Sequence, residues 1–298
     1  MSLSDLGLYQ MARYRSLEAL CDLLTSREAR GERTVLLAGG TDWMVEQEMA
    51  KPLGPGDKRP LVVDVSRMEE LREIQRDDTT LRIGAATTFL EIRRSTIVND
   101  RVPLLERMAR DIGAIQIQAR GTFGGNLATQ SPAADGVAAL AALDATLVVR
   151  SSRGERRIPI GELQTGYKTS TRAVDEIFVA VEIPLPARGA PWTWRKVGAR
   201  RAQAISKVAL AGVAEVKGGR VTRFGVGMAS VAPVTTLLPT VRALALSKPL
   251  AKITGEELDR AVDADVNPID DVRSTRAYRV HCARAVTREW LRQLGAPA

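Results

Sequence analysis

The 298-residue chain is short of nearly every side chain from which common catalytic and metal sites are built. Its 2 cysteines, Cys21 and Cys282, lie far apart and outside any C-x-x-C, which excludes a disulfide framework and any iron–sulfur cluster made by this chain alone. Its 1 histidine, His281, sits in STRAYRVHCARAVTREWLRQL, where Val280, Ala283, Val286, Trp290 and Leu294 fall at helical spacing. That residue reads as a helix flank rather than a base, so zinc sites and histidine triads lack their ligands. Lys and Arg outnumber Asp and Glu by 43 to 35, but only 4% of residues are aromatic, whereas a nucleic-acid site pairs clustered Arg and Lys with interleaved aromatics. No stretch reaches the roughly eighteen uninterrupted apolar residues of a membrane span, and MSLSDLGLYQ lacks the basic start and apolar core of a secretory signal. These absences predict a cytoplasmic protein with no nucleic-acid partner and no membrane span.

What is present is a mixed α/β pattern without repeats. Ser16 begins SLEALCDLL as an N-cap, with Leu17, Leu20, Leu23 and Leu24 on one face. TVLLAGG predicts a strand running into glycines, after which Thr41 is the expected N-cap of a helix over TDWMVEQEMA. KPLGPGDKRP is a turn-rich connector, LVVDVS and LRIGAATT are strands, and PLLERMARDIG is a helix. TFGGNLATQSPAAD carries neither period and is expected to be a loop, ending where Ser131 caps, and Pro132 opens, a helix over SPAADGVAALAALDA. Strands follow in ATLVVRS, RRIPI and EIFVAVEIPLP; the Pro-rich IPLPARGAP is the expected domain boundary. Beyond it, WTWRKV, KVALAGVAEVKGGRVTRFGVGMASV and two helical stretches predict a smaller α+β unit, with a Thr254/Glu257 capping box in TGEELDRAV.

Two stretches combine adjacent glycines with a hydroxyl and a polar side chain: Ala38-Gly39-Gly40-Thr41-Asp42 and Thr122-Phe123-Gly124-Gly125-Asn126. Glycine lets backbone N–H groups approach an anion closely, and a helix start adds the positive end of a dipole, so the pair suits a diphosphate. Either one alone is more often an ordinary tight turn, and it is the two together, each with Thr and Asn or Asp attached, that point to the diphosphate. A dinucleotide fold of the G-x-G-x-x-G kind, with Asp64 on the ribose, fails because Trp43 occupies the third glycine position, and a Walker loop fails because no Gly-Lys-Ser/Thr follows.

LLAGGTD, LRIGAATT, GTFGGNLATQSPAAD, DEIFVAVEIPLP and WRKVGARRAQAISKVALAG occur in the order, and at about the spacing, of the FAD-binding medium subunit of molybdenum hydroxylases. The chain resembles that subunit, of the xanthine dehydrogenase and carbon monoxide dehydrogenase family, over nearly its whole length. The resemblance implies an α+β fold: a two-subdomain FAD-binding domain of the vanillyl-alcohol-oxidase type over 1–186, split near 55–60, then a C-terminal domain over 187–298. It implies that Leu37, Ala38, Gly39, Gly40, Thr41 and Asp42, with Thr122, Gly124, Gly125 and Asn126, bind the diphosphate and ribityl region of FAD, with Ser131 at a helix start behind them. Asp135 matches a flavin-contacting acid, although a first-turn partner for the helix dipole explains it as well. Phe178 stands where the family has an aliphatic flavin contact, and Lys196 matches a lysine near the isoalloxazine, whose charge would favour the reduced flavin; a generic surface lysine is the plain alternative.

The chain departs from the pattern at Phe123, which replaces a small aliphatic residue, at Trp43 and Met44, which replace aliphatics, and at Ile112, where mammalian relatives stack a phenylalanine on the flavin. The family's organisation implies a small subunit with two [2Fe-2S] clusters, a large molybdopterin subunit and a dimer of heterotrimers. In it this chain would pass electrons to NAD, oxygen or a quinone-linked carrier. KVGARRAQAISKV resembles the xanthine-dehydrogenase and heterocycle group most, which points to a purine or N-heterocycle oxidised on another chain. A self-contained FAD oxidase of the same superfamily, and a carbon monoxide or aldehyde dehydrogenase medium subunit, stand as alternatives.

Overall fold

A computed structural model describes residues 9–50 and 59–297. The expected subdomain split near 55–60 falls mostly on residues 51–58, outside the described residues. The first unit holds β1 (Met11–Ala12), α1 (Leu17–Ala29), β2 (Thr34–Leu37), α2 (Trp43–Met49) and β3 (Leu61–Asp64). Its sheet is parallel, in the order β1-β3-β2, with Leu37 opposite Asp64. α1 starts as its sequence predicts: the Ser16 hydroxyl accepts the Ala19 N–H at 3.4 Å, and Leu17, Leu20, Cys21 and Leu24 are buried. The first glycine turn therefore leaves the carboxyl end of β2, the edge where parallel sheets bind ligands.

The second unit is an antiparallel sheet wrapped by short helices. β4 (Ile74–Arg76) and β5 (Thr80–Gly84) lead into α3 (Phe89–Arg94), α4 (Thr96–Arg101), α5 (Pro103–Arg110), α6 (Ile115–Gln118), α7 (Phe123–Ala128) and α8 (Asp135–Ala142). Then come β6 (Thr146–Ser151), β7 (Gly154–Pro159), α9 (Ile160–Leu163), β8 (Gln164–Gly166), β9 (Thr169–Ser170) and β10 (Ile177–Pro184), giving the strand order β4-β5-β10-β6-β7 beside a small β8-β9 ribbon. The third unit is an antiparallel sheet of β11 (Trp192–Val197), β12 (Val208–Lys217) and β13 (Arg220–Ala229), followed by α10 (Pro239–Ser247), α11 (Gly255–Asp265) and α12 (Arg276–Gln293). The Thr254/Glu257 capping box forms as expected.

Three local expectations change. The stretch expected to be a loop after Gly121 begins as a helix: Thr122 caps α7, its hydroxyl accepting the Gly125 N–H at 3.1 Å. Ser131 and Pro132 do not open α8, which starts at Asp135; Ser131 Oγ instead accepts the Ala133 N–H at 3.2 Å in the turn before it. The residue capping α2 is Asp42 rather than Thr41, and its side chain makes no capping bond.

The apolar core does not stop at the Pro-rich boundary. One continuous cluster joins Leu81, Ile83, Phe123, Leu140 and Val181 to Trp194, Ala209, Ala211 and Val213 of the C-terminal sheet. The contact is made by backbone: a Cβ on Gly225 would lie 1.9 Å from the Ala142 carbonyl oxygen, and one on Gly227 2.3 Å from that of Ala138. α8 thus rests directly on β13. The other face of the sheet, through Val208, Leu210, Phe224 and Met228, packs on α10–α12 and Trp290.

Candidate functional site

A cleft of about 830 Å³ opens between the first unit, the helices of the second and the segment after β11. That size is in the cofactor range of roughly 300–1,000 Å³. Leu37, Ala38, Gly39, Gly40, Thr41 and Asp42 line one side, and Thr122, Gly125 and Asn126 the other. The two glycine stretches touch: a Cβ on Gly39 would lie 2.0 Å from the Arg120 carbonyl oxygen, and one on Gly121 3.6 Å from Thr41 Oγ1. Gly40 has φ +75°, a left-handed conformation that glycine adopts without strain.

The two stretches have different roles. Among the described residues no acceptor meets the N–H groups of Gly39, Gly40, Thr41 or Asp42, while the Gly39 and Gly40 carbonyls accept from Arg120 Nε and the Met44 N–H. Four donors are thus left beside the start of α2, the arrangement that backbone offers to an anion. Around the second pair of glycines every N–H is used internally: Phe123 donates to Thr87 O, Gly124 to Ala85 O, Gly125 to Thr122 Oγ1 and Asn126 to Thr122 O. Gly124 is needed for packing, since its Cβ would fall 2.7 Å from that of Ala85. Asn126 Oδ1 accepts the Gly136 N–H at 3.1 Å, tying α7 to α8. The second stretch shapes the cleft; the first is equipped to hold charge.

Four other residues implied by the resemblance stand off the cleft wall. Asp135 and Lys196 bond to each other: Nζ lies 2.5 Å from Oδ2 and donates to the Asp111 carbonyl at 3.0 Å, while Ser206 Oγ donates to Asp135 Oδ1 at 2.7 Å. Both side chains are nearly buried, and Lys196 is not a surface lysine. Burial pushes the Asp135 carboxyl above the ordinary range, with the Lys196 charge opposing it. Phe178 is buried in β10 beneath the Arg172 guanidinium, 5.5 Å from its ring centre, and Ser131 is in the turn before α8. Asp64 is held by Ser66 and Arg13, which accounts for it without a ribose.

The rest of the wall lies outside the two glycine stretches. Ile112, Gly113, Ala114, Gln116 and Ile117 bring α6 to the cleft, and Phe89 adds an aromatic face resting edge-on, at 5.9 Å, on fully buried Phe123. Lys168, from the β8–β9 turn, and Arg200, from the segment after β11, bring cationic side chains to the cleft. Gln130, Gln203 and Ile205 also line it, as do Trp43 and Glu46, so that with Asp42 the lining holds two carboxylates beside its two cations. Free N–H donors at one helix start, cationic side chains from two other segments and apolar faces in one cleft suit a ligand that is part phosphate and part aromatic, which FAD is. Among the described residues no group of His, Cys, Asp and Glu is placed to hold a metal ion, and no helix is long and apolar enough to cross a membrane.

Residues 8–186 match the family described as the FAD binding domain in molybdopterin dehydrogenase, and residues 194–294 the CO dehydrogenase flavoprotein C-terminal domain. The chain is 29% identical over 293 residues, 98% of each protein, to a putative xanthine dehydrogenase FAD-binding subunit of Escherichia coli. It is 29% identical over 272 residues, 88% of this chain and 91% of the other, to the carbon monoxide dehydrogenase medium chain of Hydrogenophaga pseudoflava. Among solved structures, carbon monoxide dehydrogenase from Hydrogenophaga pseudoflava lacking the Mo-pyranopterin moiety superposes with a TM-score of 0.86 at 26% identity, covering 95% of this chain and 96% of that one.

Proposed function

Because the chain belongs to the family of FAD-binding domains in molybdopterin dehydrogenases, we propose that it is the electron-exit subunit of a molybdenum hydroxylase, an oxidoreductase whose organic substrate is oxidised on another chain. The observation that carries this reading is the row of unpaired N–H groups at Gly39–Asp42, on residues lining a cleft to which Lys168, Arg200 and apolar side chains also contribute. In this reading those N–H groups, with Thr41, receive the diphosphate; Thr122 and Asn126 flank the ribityl region; and Phe89 and Ile112 border the planar rings and keep water from them. The units 1–186 and 187–298 act together, because one core runs through both. Bound FAD supplies the ability to exchange electrons singly on one side and in pairs on the other.

With 2 cysteines the chain cannot ligate a [2Fe-2S] cluster, so its electrons come from clusters on a small partner subunit, and the molybdopterin lies on a large one. NAD, oxygen or a quinone-linked carrier then takes them. Relatives named for xanthine, nicotinate and caffeine favour a purine or N-heterocycle as the substrate, although others are named for carbon monoxide and glyceraldehyde. Purification of the tagged chain from the cells that make it tests the assignment. A yellow complex with two further subunits, iron and molybdenum is expected; a colourless chain, or one that oxidises substrate without partners, contradicts it.

A further inference from the structure

Neither the glycine stretches nor the resemblance accounts for Gln130, just past the end of α7. It lines the cleft, is only 9% exposed, and has a buried Oε1 without any hydrogen-bond partner. Its backbone is left-handed, with φ +49°. Among the described residues six non-glycine positions have positive φ, and three of them, Gln130, Lys168 and Gln203, line this one cleft. A left-handed glutamine is strained, and an orphaned buried acceptor has given up its water for nothing. The Gln130 N–H closes the turn on Leu127 O at 3.2 Å, which any residue would do equally well. The side chain therefore costs the unliganded fold something and returns no bond to it.

The orphaned atom restricts what can satisfy it. An acceptor needs a donor, and the oxygens of an ionised diphosphate are acceptors; hydroxyl and N–H groups are not so limited. We infer that Gln130 is a ligand-reading residue whose Oε1 accepts a hydrogen bond from a hydroxyl or N–H group of FAD, while the diphosphate goes to the free N–H groups at Gly39–Asp42. The donor belongs either to the ribityl–isoalloxazine half or to the ribose–adenine half. This rests on the FAD reading above and adds a specificity-determining side chain to it.

The test uses the full-length chain stripped of flavin, titrated with FAD, with riboflavin and with AMP, in the wild type, Gln130→Ala and Gln130→Gly. Loss of one net hydrogen bond weakens FAD binding about 3–10-fold in both variants. The unliganded variants melt no lower than the wild type, and Gln130→Gly melts highest because it also relieves the left-handed backbone. FAD therefore raises the variants' Tm by less than it raises the wild type's. The weakening recurs with riboflavin or with AMP, and whichever shows it identifies the half of FAD that carries the donor. An unchanged Kd for FAD in Gln130→Ala, a weaker Kd accompanied by a lower unliganded Tm, or weaker FAD binding with both fragments unaffected overturns the inference. Failure of the wild type to bind FAD contradicts the function proposed above instead, and the wild-type titration separates the two.

Discussion

At the residue scale the glycines divide by what each one touches. Gly39 has no room for a methyl group against the Arg120 carbonyl, and Gly40 is left-handed, so Gly39→Ala and Gly40→Val each disturb the turn that holds the free N–H groups. Both are expected to emerge from gel filtration without flavin; wild-type flavin content in either contradicts the site. Gly124→Val should also lose flavin, but through a lower Tm, because the new side chain presses on Ala85. Lys196 has a counterion, which changes what its charge does. In Lys196→Met the buried Asp135 loses its partner, at a cost on the order of 3–5 kcal/mol seen as a lower Tm, and Lys196→Met with Asp135→Leu regains much of it. The flavin potential should respond unequally. Asp135→Asn leaves an uncompensated cation and raises the potential by some tens of millivolts, at about 30 mV per 1.4 kcal/mol. Lys196→Met lowers it less, because burial already pushes the stranded carboxyl toward its neutral form. Equal and opposite shifts in a spectroelectrochemical titration contradict this.

At the scale of elements, much was legible and the misses have physical causes. Ser16 and Thr254 cap their helices as their sequences predict, because an N-cap followed by an apolar face is a local signal. Thr122 is also a cap, but the glycines after it hide the helix: Gly124 and Gly125 lower helix propensity, and close packing on Ala85 together with the Thr122 cap overrides that. Ser131-Pro132 gives the opposite error, a helix-start pattern spent on a turn three residues early. Gly113, Ala114, Gln116, Ile117 and Lys168 had no signal, since they reach the cleft through tertiary placement, whereas Ile112 was marked by the resemblance and Gln203 lies in WRKVGARRAQAISKVALAG.

The hairpin of β6 and β7 and the segment before β10 are joined by Arg153–Asp175 at 2.5 Å and Arg156–Glu176 at 2.6 Å. Bonding to those guanidiniums holds both carboxyls below their ordinary range. Their contribution is present at neutral pH and lost as pH falls through about 4 and below, so the urea midpoint should decline there, and Arg153→Ala with Arg156→Ala should flatten the decline. An identical pH profile in that double variant contradicts this.

At the scale of the whole molecule, the sequence divides neatly at IPLPARGAP but the packing does not. α8 lies on the glycines of β13, so the C-terminal sheet forms one wall of the core beneath the cleft, and the segment after β11 reaches the cleft itself. Gly225→Ala is therefore expected to lower Tm and flavin affinity together, although the residue is not on the cleft wall; normal flavin affinity in a destabilised variant would separate the two units. The central claim is that this chain contributes the FAD, and only the FAD, to a larger electron-transfer complex. The most direct test is the cofactor content of the purified complex, flavin, iron and molybdenum per assembly, with wild-type chain and with Gly39→Ala. The variant complex is expected to lose FAD while keeping its iron and molybdenum. Retention of FAD in the variant, or loss of iron and molybdenum in step with it, contradicts the claim.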